Sequence, residues 1–280
     1  MRVLVVGATG VLGRQVVPRL VERGHSVRVV VRDAERLSYF RQMGVEAAIG
    51  DILDLGSLQT AAGGCEAALH LATAIPRSGE RDWSLNDRIR REGTRNLIAA
   101  ATKNGVRRYV QQSIAMLYGD TGQEVVTESA PLRPSPVIQS AADMEDLVRA
   151  STLDWCILRG GLFYGPGTGR EEDWRQAAQE GRLVYPADGS DLLSQVHVVD
   201  MARAVVLATE KARPGSVYNI VDDEPVSYTR LYSFVAAQLG APEPTGGGPR
   251  VLRSFACSNA RVKEELGWEP AYPSYLSGLA

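Results

Sequence analysis

The sequence predicts an α/β fold, a doubly wound parallel sheet with a smaller C-terminal lobe built from insertions. Three observations carry this expectation. Short apolar runs alternate with helix-length segments through the first half of the chain. Glycines at Gly24, Gly44, Gly63-Gly64 and Gly105 punctuate the alternation. The first apolar run leads directly into Gly7-Ala8-Thr9-Gly10-Val11-Leu12-Gly13 and then a helical pattern.

Val3 to Val6 read as a buried parallel strand, too short for a helix. The glycine loop that follows has the spacing G-x-x-G-x-x-G. Glycine tolerates the backbone angles of such a turn and leaves no side chain in the way of a pyrophosphate. The helix start then supplies N–H groups and partial positive charge. A strand before the loop and a helix after it favour a nucleotide site over a structural turn.

Helix one is expected from Val11 to Arg23, kinked or tilted at Pro18 and ended by Gly24. Further strands read at 27–31, 45–49, 67–71 and 109–112. Helices read at 35–43, 55–62 and, longest, 83–103. In the second half, Pro131, Pro134 and Pro136 mark a loop before a helix at 138–150 and a strand at 155–158. A glycine-rich loop follows, then a helix at 174–180, a strand-helix turn over 197–211 and a strand at 217–221. The stretch 241–249, rich in Pro and Gly, reads as a surface loop. No clean linker divides the chain. The expected division is a dinucleotide-binding domain at 1–159 and 191–221, with a smaller substrate-binding lobe at 160–190 and 222–280.

Composition narrows the function classes. A net charge of −2 over 280 residues argues against nucleic acid or an anionic membrane as the main partner. No long uncharged apolar run is present, so no membrane span is expected. The first residues already read as a core strand, so no signal peptide is expected. Cys65, Cys156 and Cys257 are odd in number and far apart, which suits a reducing cytoplasm and neither a disulfide framework nor zinc. His25, His70 and His197 lack metal-ligand spacing. A cytoplasmic protein acting on a small molecule, as monomer or homodimer and without metal, is the expectation.

The chain resembles the extended short-chain dehydrogenase/reductases of the NAD-dependent epimerase/dehydratase type, with the Rossmann fold. The glycine loop, Gly50-Asp51, His70-Leu71-Ala72, Gly93-Thr94 and Arg159 carry the resemblance. So do Tyr164-Gly165-Pro166-Gly167, His197-Val198-Val199-Asp200 and Leu266-Gly267-Trp268-Glu269-Pro270. The matches span nearly the whole length in order. The resemblance implies cofactor contacts at Gly7, Thr9, Gly10, Val11, Leu12, Gly13, Arg32, Asp51 and Ile52. It implies others at Leu71, Ala72, Thr73, Gln112, Ser113, Gly160 and Gly161.

The departures bear on chemistry. The family's catalytic Tyr-x-x-x-Lys pair falls on Val137 and Ala141, while Glu145 further along the helix matches and fixes the register. The Ser/Thr helper position falls on Ile114, with Ser113 one place early. The family asparagine falls on Arg90. The chain therefore resembles atypical members that keep the fold and lose the tetrad.

At the end of strand two stands Arg32, with the acid displaced to Asp33. An arginine there can hold a 2′-phosphate by two parallel bonds, with Arg14 and Arg36 adding charge, so NADP(H) is expected over NAD(H). The bland alternative is a solvated Arg32 and an Asp33 that caps the next helix. Asp51 is either an adenine contact or a helix cap. Ser113 is a candidate for a polar contact near the reacting carbon, or a strand-end hydroxyl bonded to backbone. Tyr118 is a weaker candidate acid, because a phenol needs a nearby cation to act at neutral pH. Trp83, Tyr164, Trp174 and His197 are expected to line a substrate cleft, or else to be core. Arg88, Arg90, Arg91 and Arg95 read as a solvated basic face, or as a contact for an anionic substrate. Two functions remain: an NADP(H)-dependent oxidoreductase on a small carbonyl, imine or enone, and a catalytically silent NAD(P)-binding sensor.

Overall fold

The structure is a computed structural model that describes residues 1–76, 82–250 and 252–279. The chain forms two compact units. The first comprises residues 1–113, 134–158 and 202–218, and the second 114–133, 159–201 and 219–280.

The first unit is organised by a seven-stranded parallel sheet. Its strands are β1 (Arg2–Val6), β2 (Ser26–Val31), β3 (Glu46–Ile49), β4 (Ala67–His70), β5 (Arg108–Ile114), β6 (Asp154–Gly160) and β7 (Ser216–Ile220). The spatial order is β7-β6-β5-β4-β1-β2-β3. Chain order therefore reverses between β1 and β4, and the crevice beyond the carboxyl ends of those two strands is the switch point where such sheets bind ligands. Register is uniform there: Val6 lies opposite Val30 on one side and His70 on the other.

Between the strands run α1 (Val11–Glu22), α2 (Ala34–Gln42) and α3 (Leu55–Ala62). Leu12, Val16, Val17 and Leu20 recur at helical spacing and are buried, which seats α1 against the sheet. Pro18 lies inside α1, which remains one helix from Val11 to Glu22. The long helix expected over 83–103 is instead three segments: α4 (Ser84–Arg88), a π-helical turn over Ile89–Gly93, and α5 (Thr94–Lys103). At Gly93 a β-carbon would come within 2.9 Å of Ile52 Cγ1, so close packing there requires glycine. Leu58, Ala61 and Ala62 of α3 meet Leu97, Ala100 and Ala101 of α5 in the core, and α6 (Gln139–Arg149) packs beside them.

The second unit contains α7 (Arg170–Gln179) and several short strand pairs, and takes in residues 114–133 and 191–201. The reason is local pairing. Val125–Val126 pairs with Ala256–Cys257, Gln195–His197 with Leu162–Tyr164, and Leu192–Leu193 with Val226–Ser227. The stretch 241–249, expected as a loop, contains a strand at Thr245–Gly248 paired with Val184–Pro186. Its three glycines carry no side-chain alternation that could announce it. Trp268 is fully buried and donates its indole N–H to the Asp200 carbonyl at 3.0 Å. The Asp200 carboxylate accepts from the Ala271 and Tyr272 amides, so two motifs distant in sequence lock together.

Among the described residues no helix is long and apolar enough to cross a membrane, and no group of His, Cys, Asp or Glu could hold a metal ion. The three cysteines are free and buried. Trp268→Ala removes a buried indole and its hydrogen bond. A loss of about 3–5 kcal/mol in unfolding free energy is expected by urea denaturation, whereas a loss below 1 kcal/mol would show that the Trp268 and Asp200 motifs are not mechanically joined.

Candidate cofactor site

The glycine loop connects β1 to α1 in a conformation that dictates its residue types. Gly7 has φ +97°, and a β-carbon there would lie 2.5 Å from the Ala72 amide nitrogen. The end of β1 thus passes against the segment that follows β4. Gly13 would place a β-carbon 2.2 Å from the Gly7 carbonyl oxygen. Gly10 stands at the N-cap of α1 in an extended conformation and accepts from Arg14 N. The first-turn N–H groups at Val11, Leu12 and Gly13 therefore have no side-chain cap. Open N–H donors at the positive end of a helix, beside backbone that no side chain obstructs, suit a pyrophosphate. Thr9 offers its carbonyl to the Arg14 guanidinium at 2.9 Å, which closes the outer side of the loop.

The residues expected around this loop fall into distinct roles. Arg32 is exposed at the end of β2, and Asp33 is engaged as the N-cap of α2, accepting from the Arg36 amide at 2.8 Å. Asp51 does not cap α3; Asp54 does, accepting from Gly56 and Ser57 amides. Asp51 instead accepts from the Leu53 amide at 2.8 Å, a tight Asx turn that directs the chain out of β3. Ile52 points into the core, so only its backbone can face a ligand. Leu71 is buried, its amide donating to the Val6 carbonyl, while Ala72 is half-buried and Thr73 exposed. Gln112 donates to the Ser113 carbonyl. Trp83 is half-buried at the start of α4.

Ser113 is buried, and its hydroxyl is bonded to a side chain rather than to backbone: it donates to Glu145 Oε1 at 2.7 Å. Glu145 is itself fully buried, with Arg149 against its other oxygen at 3.3 Å. The sequence supplied both residues but not their pairing. Val137 is exposed at the start of the same helical segment, and Ala141 is buried.

In the second unit the expected site residues are mostly structural. Gly160 and Gly161 are required by packing, since β-carbons there would strike Phe163 at 2.8 Å and the Ser194 carbonyl at 2.5 Å. Tyr118 accepts from Arg159 at 2.8 Å and donates to Asn219 at 2.7 Å. Burial pushes its phenol up to about 12, against the pull of the Arg159 guanidinium, so it stays protonated at neutral pH. Tyr164, Trp174 and His197, expected to line a cleft or else to be core, are buried in their unit. Tyr164 donates to Asp222, and the His197 ring lies 3.8 Å from Tyr272 and edge-on to Tyr164. Burial raises the Asp222 carboxyl to about 7. Trp174 lines a small surface hollow together with Arg175, Phe234 and Leu279 among others.

The profile of the NAD(P)H-binding family matches residues 7–211. The chain belongs to that family. It is of the epimerase/dehydratase-like short-chain dehydrogenase/reductase kind. A 3-diazoavenalumate denitrifying reductase of Streptomyces is 35% identical over 306 aligned positions, covering 100% of this chain and 99% of the relative. A dTDP-glucose 4,6-dehydratase of Streptomyces griseus is 31% identical, covering 99% and 91%. Among solved structures, a dTDP-glucose 4,6-dehydratase from Streptomyces venezuelae with NAD bound superposes with a TM-score of 0.86 at 26% identity, over 100% of this chain and 95% of that one. Other relatives are named as reductases, including a 2-alkyl-3-oxoalkanoate reductase of Stenotrophomonas maltophilia at 29% identity over 86% of this chain and 77% of the relative. The chain is thus an NAD(P)-binding, reductase-like member of its superfamily.

Two outcomes follow from this geometry. Gly13→Ala drives a methyl group into the Gly7 carbonyl; a stability loss of roughly 1–3 kcal/mol by denaturation and abolished dinucleotide binding by fluorescence titration are expected. His70 is fully buried, and desolvation, helped by the Arg90 charge, lowers its pKa to about 4. The unfolded imidazole takes up a proton near pH 6.5 and the folded one only near 4, so stability falls as pH drops through that window, by roughly 3 kcal/mol in total. Denaturation midpoints measured from pH 7 to 4 should fall less steeply for His70→Gln; parallel slopes would refute the assignment.

Proposed function

We propose that the chain is an NADP(H)-dependent reductase that delivers hydride to a small electrophile without the Tyr-x-x-x-Lys pair. The observation that carries the reading is the Gly7–Gly13 cradle at the switch point between β1 and β4, backed by a helix N-terminus without a side-chain cap. Arg32, Asp51, the Ile52 backbone, Leu71, Ala72, Thr73, Gln112 and Ser113 would complete the cofactor contacts within the first unit. Arg32 is exposed, while the neighbouring acid Asp33 is committed to its helix cap. That arrangement favours a 2′-phosphate over a free ribose hydroxyl. Bound here, the dihydronicotinamide supplies the hydride.

The proton is the remaining question. Val137 and Ala141 stand where the resemblance expects the acid and its lysine, and neither can ionise. Tyr118 is held by Arg159 and Asn219 with its pKa near 12. The Ser113 hydroxyl proton is committed to Glu145. These observations support a substrate that takes its proton from water, or needs none. Carbonyls, imines and enones belong to the first group. The Streptomyces relative named for removing nitrogen from a diazo compound suggests the second, because a diazonium carbon that accepts hydride releases dinitrogen without further protonation. That class extends the reading to aryl diazonium substrates.

A fluorescence titration of NADPH against NADH tests the cofactor. NADPH is expected to bind about tenfold tighter or more, the worth of a pair of charge-assisted bonds, and Arg32→Ala should erase the difference; tighter NADH binding would sink the assignment. Ketones, enones, imines and aryl diazonium salts, followed at the nicotinamide absorbance, test the reaction. Turnover should persist in Tyr118→Phe. Tight NADPH binding with no oxidation by any of them would favour the silent sensor.

A further inference from the structure

The basic face of the long helix does not behave as one surface. Arg88 pairs with Glu92 at 3.0 Å and Arg91 with Asp143 at 2.6 Å, both at least partly in solvent. Arg95 is exposed. Arg90 alone of the four is buried, at 5% exposure. Its recorded hydrogen bond goes from Nη1 to the Ser140 hydroxyl at 3.2 Å, and among the described residues no carboxylate pairs with it. Asp87, one turn earlier, attracts it without forming an ion pair, while burial and Arg91 oppose its charge.

A buried guanidinium without a paired anion is costly, and a guanidinium has several more N–H donors than one serine oxygen can satisfy. The surrounding polar atoms are also incomplete. Asn86 uses Oδ1 to hold the Ala74 amide, but its buried Nδ2 has no partner. Neither His70 nitrogen makes a well-aligned hydrogen bond, and Thr94 Oγ1 and Asp87 Oδ1 are likewise buried without one. Among the described residues, half of those with such orphaned atoms thus belong to α4, the start of α5 and the end of β4. Arg90 lies on the π-helical turn between the two helices, a distortion often found at functional sites. Of these atoms the Asn86 amide, the Thr94 hydroxyl and one ring N–H of His70 can donate, whereas Asp87 Oδ1 only accepts. Water could satisfy the neutral groups, but only an anion also compensates the charge.

We propose that Arg90 anchors the substrate of this enzyme by binding a carboxylate, at the π-helical turn between α4 and α5 and beside Ser140 of α6. The assignment rests on the hydride-transfer reading above, and it narrows the substrate to electrophiles that carry an acid group. The planar guanidinium matches a carboxylate with two parallel bonds, which a lysine cannot reproduce. Arg90 is then a binding residue for substrate, with Ser140 fixing its orientation.

The test uses protein saturated with NADPH and titrated with benzoate and cinnamate, and in parallel with benzamide and cinnamamide, followed by nicotinamide fluorescence. The acids are expected to bind about tenfold tighter than the amides, as a charge-assisted bidentate pair implies. Arg90→Met should remove the difference, Arg90→Lys should restore part of it, and Arg91→Met should leave it unchanged. Ser140→Ala keeps the charge and frees the guanidinium, so it should weaken the acids only a few-fold. Circular dichroism and NADPH affinity report whether each variant is folded; if Arg90→Met does not fold, Arg90→Lys and Ser140→Ala decide the matter. Equal binding of acids and amides, no binding of either acid, or undiminished acid binding after loss of the guanidinium overturns the proposal. If NADPH itself does not bind, the hydride reading fails first. The same acids are then followed by thermal shift on the unloaded protein, which tests Arg90 separately.

Discussion

The close approach of two backbones at the switch point is the constraint on which the cofactor site depends. Gly7 can lie against the Leu71-Ala72 peptide only because it has no β-carbon, and Gly13 can lie against the Gly7 carbonyl for the same reason. These contacts set the entry of α1 and hence the direction of its uncapped N–H groups. They also place the β4 end beside the loop. A pyrophosphate bound as proposed would therefore be recognised by the same geometry that packs the first unit. A side chain at either glycine would disturb both.

Polar chemistry in this protein is divided between groups that are fully committed and groups that are not. Tyr118 and Arg159 neutralise each other's demands and reach Asn219. Asp200 takes two backbone amides. Groups held this firmly specify a fold, and burial moves the pKa of Tyr118 away from neutrality instead of tuning it toward catalysis. The segment from Asn86 to Thr94 is the opposite case, with a buried cation and several buried polar atoms lacking partners. Such a deficit concentrated around one buried cation points toward a ligand.

Much of the first unit was legible in the sequence because its signals are local. Short apolar runs, glycine C-caps and the strand-loop-helix opening each occupy consecutive residues, and α3 begins and ends at the expected positions, Leu55 and Ala62. The strand at Thr245–Gly248 was hidden, since its existence depends on a partner at Val184–Pro186 far away in the chain. The π-helical turn was hidden too, because inserting one residue into a helix barely alters the hydrophobic period.

The sequence by itself determined the sheet class and the strand-loop-helix opening with its glycines, because each follows from residue type at a stated spacing. Tertiary structure decided which polar side chains are spent and which are open. It gave Ser113 a buried carboxylate as partner, buried Tyr164, Trp174 and His197, and separated Arg90 from three arginines that look the same in one dimension. Burial and pairing are set by segments distant in sequence, and a charge acquires its role from the solvent and partners that those segments leave to it.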